Sequence, residues 1–459
     1  MIFMSKGNFL RKYANPRFLL KNIFELNWLI VSFFIFLFIQ LGQISLLPWD
    51  SIPYLFQGKW FCGNQIYLEL IRPPLPGVAN CLFGAQVYSI LFSTALACLI
   101  YFAAIVYFYF KEKKVDQLTL AIYAFLFPFV LFSSNFGADL FAVAFLLWAL
   151  LIESPWKKGA MFALASLSRY NFLIYSVLFL WQMRKDIQKI GLFVLPIIVL
   201  WGPWMIFNYL FTGNPFFSII ESSYLNVALK GVWAPLTLDQ ILFFVFFLIV
   251  AFFAEFKNNL RDIKNQAAIV GWAQFIISGI KENRFVLLLV PLTAFNISKV
   301  CAANKKLRVA FVVLLILSLG VIVIPFLLTP DPIGNFNKFY DSAPIPTDQF
   351  LKNCRLASDK WVLFYPHGIV AETLADMPSF EYFIEHGGNI VLYNYKGIDL
   401  NRFNVINRGD YVILKSDSCS SPPKKYISGS LRNYVIKWLR DTNSIFYDYS
   451  DWVGYPYYK

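Results

Sequence analysis

Two carboxylates and four cations stand out because of where they lie in an otherwise apolar chain. Asp50 follows directly on the first long apolar run, in "LLPWDSIPY", and Asp139 lies in the short polar break "SSNFGAD" between two later runs. An acidic side chain at bilayer depth costs roughly 2.5 to 3.5 kcal/mol, so one retained there marks a site by default. Within reach of a hydroxyl, such a carboxylate can take the proton as the oxygen attacks. The cations are Arg72 in "LIRPPLPG", Arg169 in "ALASLSRYNF", and Lys281 and Arg284 in "KENRF". Guanidinium forks and compact ammonium groups both suit a phosphate. Plainer roles compete with these. Asp serves equally as a helix cap or turn residue, and the cations can snorkel to headgroups or pair with Glu69 or Glu282.

The elements that must position these residues are apolar. Of 459 residues, 58% are apolar and 15% charged, too much hydrocarbon for one soluble core, and the composition predicts a polytopic α-helical membrane protein. Apolar runs lie at 27–48, 85–110, 118–134, 139–153, 159–183, 190–209, 236–256, 267–280, 285–298 and 309–328. No small-residue cleavage site follows the first, which reads as a retained signal anchor. Basic clusters separate the runs: five Lys and Arg before residue 22, then "KEKK" at 111, "PWKK" at 155, "RKD" at 184, "KNNLRDIK" at 257 and "NKKLR" at 304. If all face the cytoplasm, as basic loops do, 159–183 must be a hairpin broken near Arg169, and the count is about 11 membrane segments. The N-terminus is then cytoplasmic and the C-terminus outside the cell membrane.

From 329 onward the composition changes. Acidic and basic residues balance there, so the whole net charge of +13 belongs to 1–328. That charge reads as topology signalling with attraction to anionic membrane lipids, and no nucleic-acid partner is expected. After a Pro-rich linker, the segment 329–459 predicts a small α/β domain outside the cytoplasm. Its expected strands are "KWVLFYP" at 360, "GNIVLYNY" at 388, "DYVILKS" at 410 and "SIFYDYS" at 444, with helices at "FEYFIEH" and "SLRNYVIKWLRD". It carries no nucleophile elbow, phosphate loop or zinc-helix motif. Four of the six cysteines, Cys62, Cys81, Cys354 and Cys419, fall on the outer side, where two local disulfides or four free thiols are both consistent with the spacing.

Five phrases carry a family resemblance. "PWDSIPYLFQGKWF…RPPLPG" (the outer loop, 49–84), "GADLFAVAFLLWAL", "ALASLSRYNFL", "GPWMIFNYLFTGNPF" and "KENRFVLLLVPLTAF" occur in order over about 250 residues. Together they resemble the GT-C membrane glycosyltransferases, in the branch of protein O-mannosyltransferases and aminoarabinose transferases. Ser51 stands where that branch often has a second acid, and "RPPLPG" lacks its aromatic. The resemblance implies inverting transfer of a sugar from a polyprenyl-phosphate donor to a hydroxyl of a lipid, glycan or protein acceptor on the outer face. It assigns Asp50 as general base with Asp139 in support. Arg72, Lys281, Arg284 and Arg169 become donor-phosphate ligands, and Tyr54, Glu69, Asn208, Tyr209 and Asn214 substrate-loop residues. It leaves a divalent metal open and requires no other cofactor. A transporter or flippase would also use broken helices and buried charge, but no inverted second copy of the "RPPLPG" or "SLSRYN" stretches occurs. A non-catalytic scaffold is the third reading.

Overall fold

The computed structural model describes residues 26–44, 51–63, 72–112, 114–126, 137–220, 222, 261–277 and 289–313 of the helical part. Within 345–420 it describes 345, 346, 348, 351, 353–358, 364, 369, 371–373, 383–393, 395 and 400–420. The helices are α1 (Asn27–Ile44), α2 (Ser51–Phe61), α3 (Pro74–Leu82), α4 (Val87–Lys111), α5 (Gln117–Ala121, running into a π turn), α6 (Gly137–Leu151) and α7 (Pro155–Ser168). A 3-10 turn (Tyr170–Tyr175) leads to α8 (Ser176–Met183), α9 (Ile187–Thr212), α10 (Ile263–Ile277) and α11 (Leu289–Ala303). Most predicted apolar runs that fall on described residues are helical; the run at 236–256 lies outside them. The stretch 49–84, expected as a loop, holds two helices instead. Pro74 opens α3 at a first-turn position, where its missing N–H is no loss and its fixed φ favours the helix.

One apolar core joins α1, α4, α5, α6, α7 and α11. Aromatic side chains dominate it: Phe33 stacks on Phe102 at 4.3 Å and Phe108 on Phe295 at 3.7 Å. Small residues set one very close crossing. A Cβ on Gly159 would lie 2.0 Å from the Phe193 carbonyl oxygen, so α7 and α9 touch backbone to backbone. Gly159 and the buried Ala163 form the small-x-x-x-small pattern that lets membrane helices approach this closely.

Two helices, α4 and α9, are long and apolar enough to cross a membrane. At 1.5 Å per residue the 26 residues of α9 span about 39 Å, against about 30 Å of bilayer hydrocarbon. Leu195, Ile198, Val199, Ile206 and Leu210 of α9 are all exposed. Their successive spacings of three, one, seven and four residues keep them on one side of the helix.

Among the described residues, basic side chains from the clusters at 111, 155, 257 and 304 gather at one end of this bundle. Lys111 Nζ donates to the Leu151 carbonyl at 2.7 Å and pairs with Glu153 at 2.9 Å, capping an orphan acceptor at the end of α6. Lys158 Nζ donates to Gln182 Oε1 at 3.1 Å, so the start of α7 and the end of α8 are adjacent. The segment 159–183 therefore turns back on itself, as the placing of its flanking basic residues predicts. Glu112 receives Lys264 at 2.9 Å and Lys299 at 2.8 Å, joining α4, α10 and α11. Burial alone would raise the Glu112 carboxyl, but hydrogen bonds from Lys299 and Lys264 outweigh it and hold the group below its ordinary value.

In the C-terminal part, five strands form one mixed sheet in the order β2-β1-β3-β5-β4. They are β1 (Arg355–Ser358), β2 (Glu372–Thr373), β3 (Gly388–Leu392), β4 (Asn404–Asn407) and β5 (Val412–Lys415). β1 runs parallel to β2 and β3, and β5 antiparallel to β3 and β4. The predicted strands at 388 and 410 are β3 and β5, those at 360 and 444 lie largely or wholly outside the described residues, and β1, β2 and β4 were not expected. Central β3 is buried along its length, which is why its apolar stretch from Ile390 to Tyr393 was legible. Edge strand β4 exposes Asn404, Val405 and Asn407, so it has no core face to reveal it. Disulfides join Cys62 to Cys81 and Cys354 to Cys419. The second binds the chain before β1 to the segment after β5, beside the hydrogen bond from Arg355 N to the Ser420 carbonyl at 2.6 Å.

Candidate functional site

The end of the bundle opposite the basic clusters carries the polar layer. Asp139 sits in the first turn of α6, where the helix dipole favours a negative charge. Arg169 terminates α7 with an extended backbone, φ −152° and ψ 116°, and immediately precedes the 3-10 turn. Its Nη2 donates to Asp139 Oδ2 at 2.8 Å, and its Nε lies 2.6 Å from Oδ1. Side-chain exposures are only 9% for Asp139 and 19% for Arg169. Two charges this enclosed persist because each is the other's counter-ion, joined by one hydrogen bond and a second close N–O approach.

In an extended residue successive side chains point to opposite sides, and that separation is used here. Arg169 reaches α6, while Tyr170 Oη reaches the Arg72 carbonyl at 3.3 Å. Trp204 Nε1 of α9 donates to Tyr170 Oη at 2.9 Å. One turn earlier, Trp201 Nε1 donates to Ser166 Oγ at 2.9 Å. Both indoles are buried, and a buried indole N–H needs an acceptor.

The Arg72 turn is held from a third side. Gln57 Nε2 of α2 donates to the same Arg72 carbonyl at 3.2 Å. α2 and α3 pack through glycines: a Cβ on Gly77 would lie 2.4 Å from Gln57 Oε1, and one on Gly58 would lie 2.8 Å from Asn80 Cβ. The Cys62–Cys81 disulfide fastens the same pair of helices. Arg72 places its guanidinium 5.4 Å from the centre of the buried Tyr54 ring, a cation–π contact.

Of the residues expected from sequence, Asp139, Arg169, Arg72 and Tyr54 belong to this layer. Asp50, Glu69, Lys281 and Arg284 lie outside the described residues. Asn208 is buried and internal: its Nδ2 donates to the Trp204 carbonyl at 2.8 Å, and its Oδ1 accepts from Ser218. Asn214 shapes the following turn, with Oδ1 accepting from Phe216 N at 2.9 Å, after Gly213 ends α9 at φ 72°. Tyr209 faces outward at 58% exposure. Sequence reasoning missed Gln57, Tyr170 and the Trp201 and Trp204 pair. Two tryptophans three residues apart in an apolar helix were the available signal, since their N–H groups fall on one side and require partners.

Among the described residues no three His, Cys, Asp or Glu side chains converge on a point that could hold a metal. The arrangement can therefore be stated as one enclosed ion pair, one arginine seated on an aromatic ring, and a set of neutral donors that fixes both. No protein-family model matches the chain, and neither a curated protein nor a solved structure does.

Proposed function

We propose that this chain is a multi-pass membrane glycosyltransferase of the GT-C kind, with its site at the Asp139 end of the bundle, outside the cytoplasm. The observation that carries the reading is the junction at Arg169–Tyr170. It ties the buried Asp139 carboxylate and the Arg72 turn into one layer, at the end opposite the basic clusters. Those clusters mark the cytoplasmic side by the positive-inside rule, which puts the layer on the outer face. The exposed apolar face of α9 supports lipid as its solvent, and two disulfides suit an oxidising compartment. The count of about 11 segments, the cytoplasmic N-terminus and the extracytoplasmic C-terminal domain belong to the same proposal.

In this reading the acceptor hydroxyl of a lipid, glycan or protein loses its proton to Asp50 as its oxygen attacks the sugar's anomeric carbon. The bond to the polyprenyl phosphate breaks, and the configuration inverts. Arg72, Lys281 and Arg284 stabilise the charge developing on the departing phosphate, in a layer shielded from bulk water. Arg169 serves differently from a simple phosphate ligand, because its charge is already matched by Asp139.

The test is turnover with a panel of polyprenyl-phosphate sugars presented to purified protein in one detergent. Asp50→Asn keeps shape and removes basicity, so turnover falls roughly 10²-fold or more with donor binding retained. Arg284→Ala weakens donor binding by about 1 to 3 kcal/mol. Full activity of Asp50→Asn would place the base elsewhere, and consumption of no donor would favour a lipid-sugar transporter or a scaffold.

A further inference from the structure

We infer that Tyr170 and Gln57 are positioning residues for Arg72, holding its guanidinium where a lipid-borne phosphate is bound; the inference rests on the phosphate-site reading above. The Arg72 carbonyl accepts from two side chains on different elements, Gln57 Nε2 at 3.2 Å and Tyr170 Oη at 3.3 Å. The two prolines that follow cannot do that work. Arg72 precedes Pro73 and Pro74, which hold it extended and offer no N–H of their own, so no helical ladder fixes the orientation of this turn.

Each donor is itself oriented. Tyr170 Oη accepts from Trp204 Nε1 at 2.9 Å, which directs its own proton away from the indole and leaves it available to Arg72. The Tyr170 ring packs beside Trp201, with centroids 5.8 Å apart. Gln57 is wedged against Gly77, where a Cβ would lie 2.4 Å from its amide oxygen. With the carbonyl pinned, the side chain leaves the turn in one direction and settles over Tyr54. An arginine held in one direction loses less freedom when it grips an oxyanion, which is the general advantage of preorganisation.

The experiment measures binding of a long-chain polyprenyl phosphate to full-length protein in detergent, with the matching polyprenyl alcohol as the uncharged control. Tyr170→Phe removes only a hydroxyl, and Gln57→Met removes only the amide while keeping length. Each is expected to weaken phosphate binding about five- to tenfold, the effect of one net hydrogen bond, with alcohol binding unchanged; Tyr170→Phe also orphans the Trp204 N–H and lowers the melting temperature, as Ser166→Ala does by orphaning that of Trp201. The double variant should approach Arg72→Ala. Ser166→Ala, which removes the Trp201 partner in the same layer without touching Arg72, should bind as wild type. If Arg72→Ala loses binding while Tyr170→Phe and Gln57→Met keep it, the positioning role is overturned and the phosphate site stands. If Ser166→Ala weakens binding as much as they do, the effect is general loosening and the inference also falls. If wild-type protein does not distinguish phosphate from alcohol, the phosphate-site reading fails and takes this inference with it.

Discussion

The two ends of the helical bundle both carry charge, but they handle it differently. At the Glu112 end, charges sit on helix termini and are shared: Glu112 with Lys264 and Lys299, Lys111 with Glu153, and Asp116 with Arg308 at 3.2 Å. Exposure there varies widely: Glu153 is at 86%, Glu112 at 24% and Lys264 at 12%, and Asp116 at 10%. At the Asp139 end, among the described residues, one pair is almost enclosed, and the same layer holds Arg72 over the Tyr54 ring and a set of neutral donors. A charge that is exposed or shared among several partners can be lost at modest cost, whereas an enclosed carboxylate held by one arginine depends strongly on it. The first pattern fixes which end of each helix lies where. The second fixes the geometry of a few named atoms.

Breaking the enclosed pair should therefore give the largest effect. Arg169→Met leaves the Asp139 carboxylate buried without its counter-ion and is expected to destabilise the protein by about 3 to 5 kcal/mol. The double variant Asp139→Leu/Arg169→Met should recover most of that loss, and Glu153→Gln at the other end should cost at most a few tenths of a kcal/mol. Thermal unfolding in one detergent measures all three. Equal losses for Arg169→Met and Glu153→Gln would erase the distinction between the two ends.

The helices between the ends offer a sharper contrast within one pair. Gly159→Ala must push α7 from α9, because the new Cβ would meet the Phe193 backbone, and a loss of roughly 1 to 3 kcal/mol is expected. A Cβ on Gly202 meets nothing within 4 Å, so Gly202→Ala should instead stabilise by about 0.5 to 1 kcal/mol through helix propensity. Melting temperatures moving in the same direction for both would contradict the close crossing.

The smallest effect concerns pH at the Glu112 end. The Glu112 carboxyl is held below its ordinary value by Lys299 and Lys264 despite its burial. A depressed acid contributes stability that is fully present above its unfolded pKa, near 4.5, and that is lost as pH falls through the folded value. Glu112→Gln is expected to lower stability by about 1 kcal/mol at neutral pH and to flatten the decline below pH ~4.5. A variant whose acid decline matches wild type would show that Glu112 is not its source.

Much of the arrangement was legible in the residue string, and the reasons are specific. α4 and α9 could be read because each is predominantly apolar and almost free of charge over about 20 residues, and such a stretch in lipid must satisfy its own backbone as a helix. The hairpin at 159–183 followed from basic residues on both flanks, and the structure joins those flanks through Lys158 and Gln182. β3 and β5 were visible as dense apolar runs. By contrast α2 and α3 were read as a loop, because Asp50, Lys59, Glu69 and four prolines dilute the apolar signal. Their packing depends on Gly58 and Gly77 meeting Asn80 and Gln57, which no periodicity encodes.

The sequence by itself determined where chain segments had to be helical and apolar, and which end of the bundle collects the basic residues. Those properties depend on composition and order over short stretches, and burial acts on them without regard to partner. Only the tertiary structure decided that Arg169 pairs with Asp139, thirty residues away, instead of standing open to a phosphate. It alone brought Tyr170 and Gln57 onto the Arg72 carbonyl, across separations of 98 and 15 residues. Hydrogen bonds and two-point ion pairs require atoms placed within a few tenths of an ångström, and that placement follows from how five elements pack together, not from any one of them.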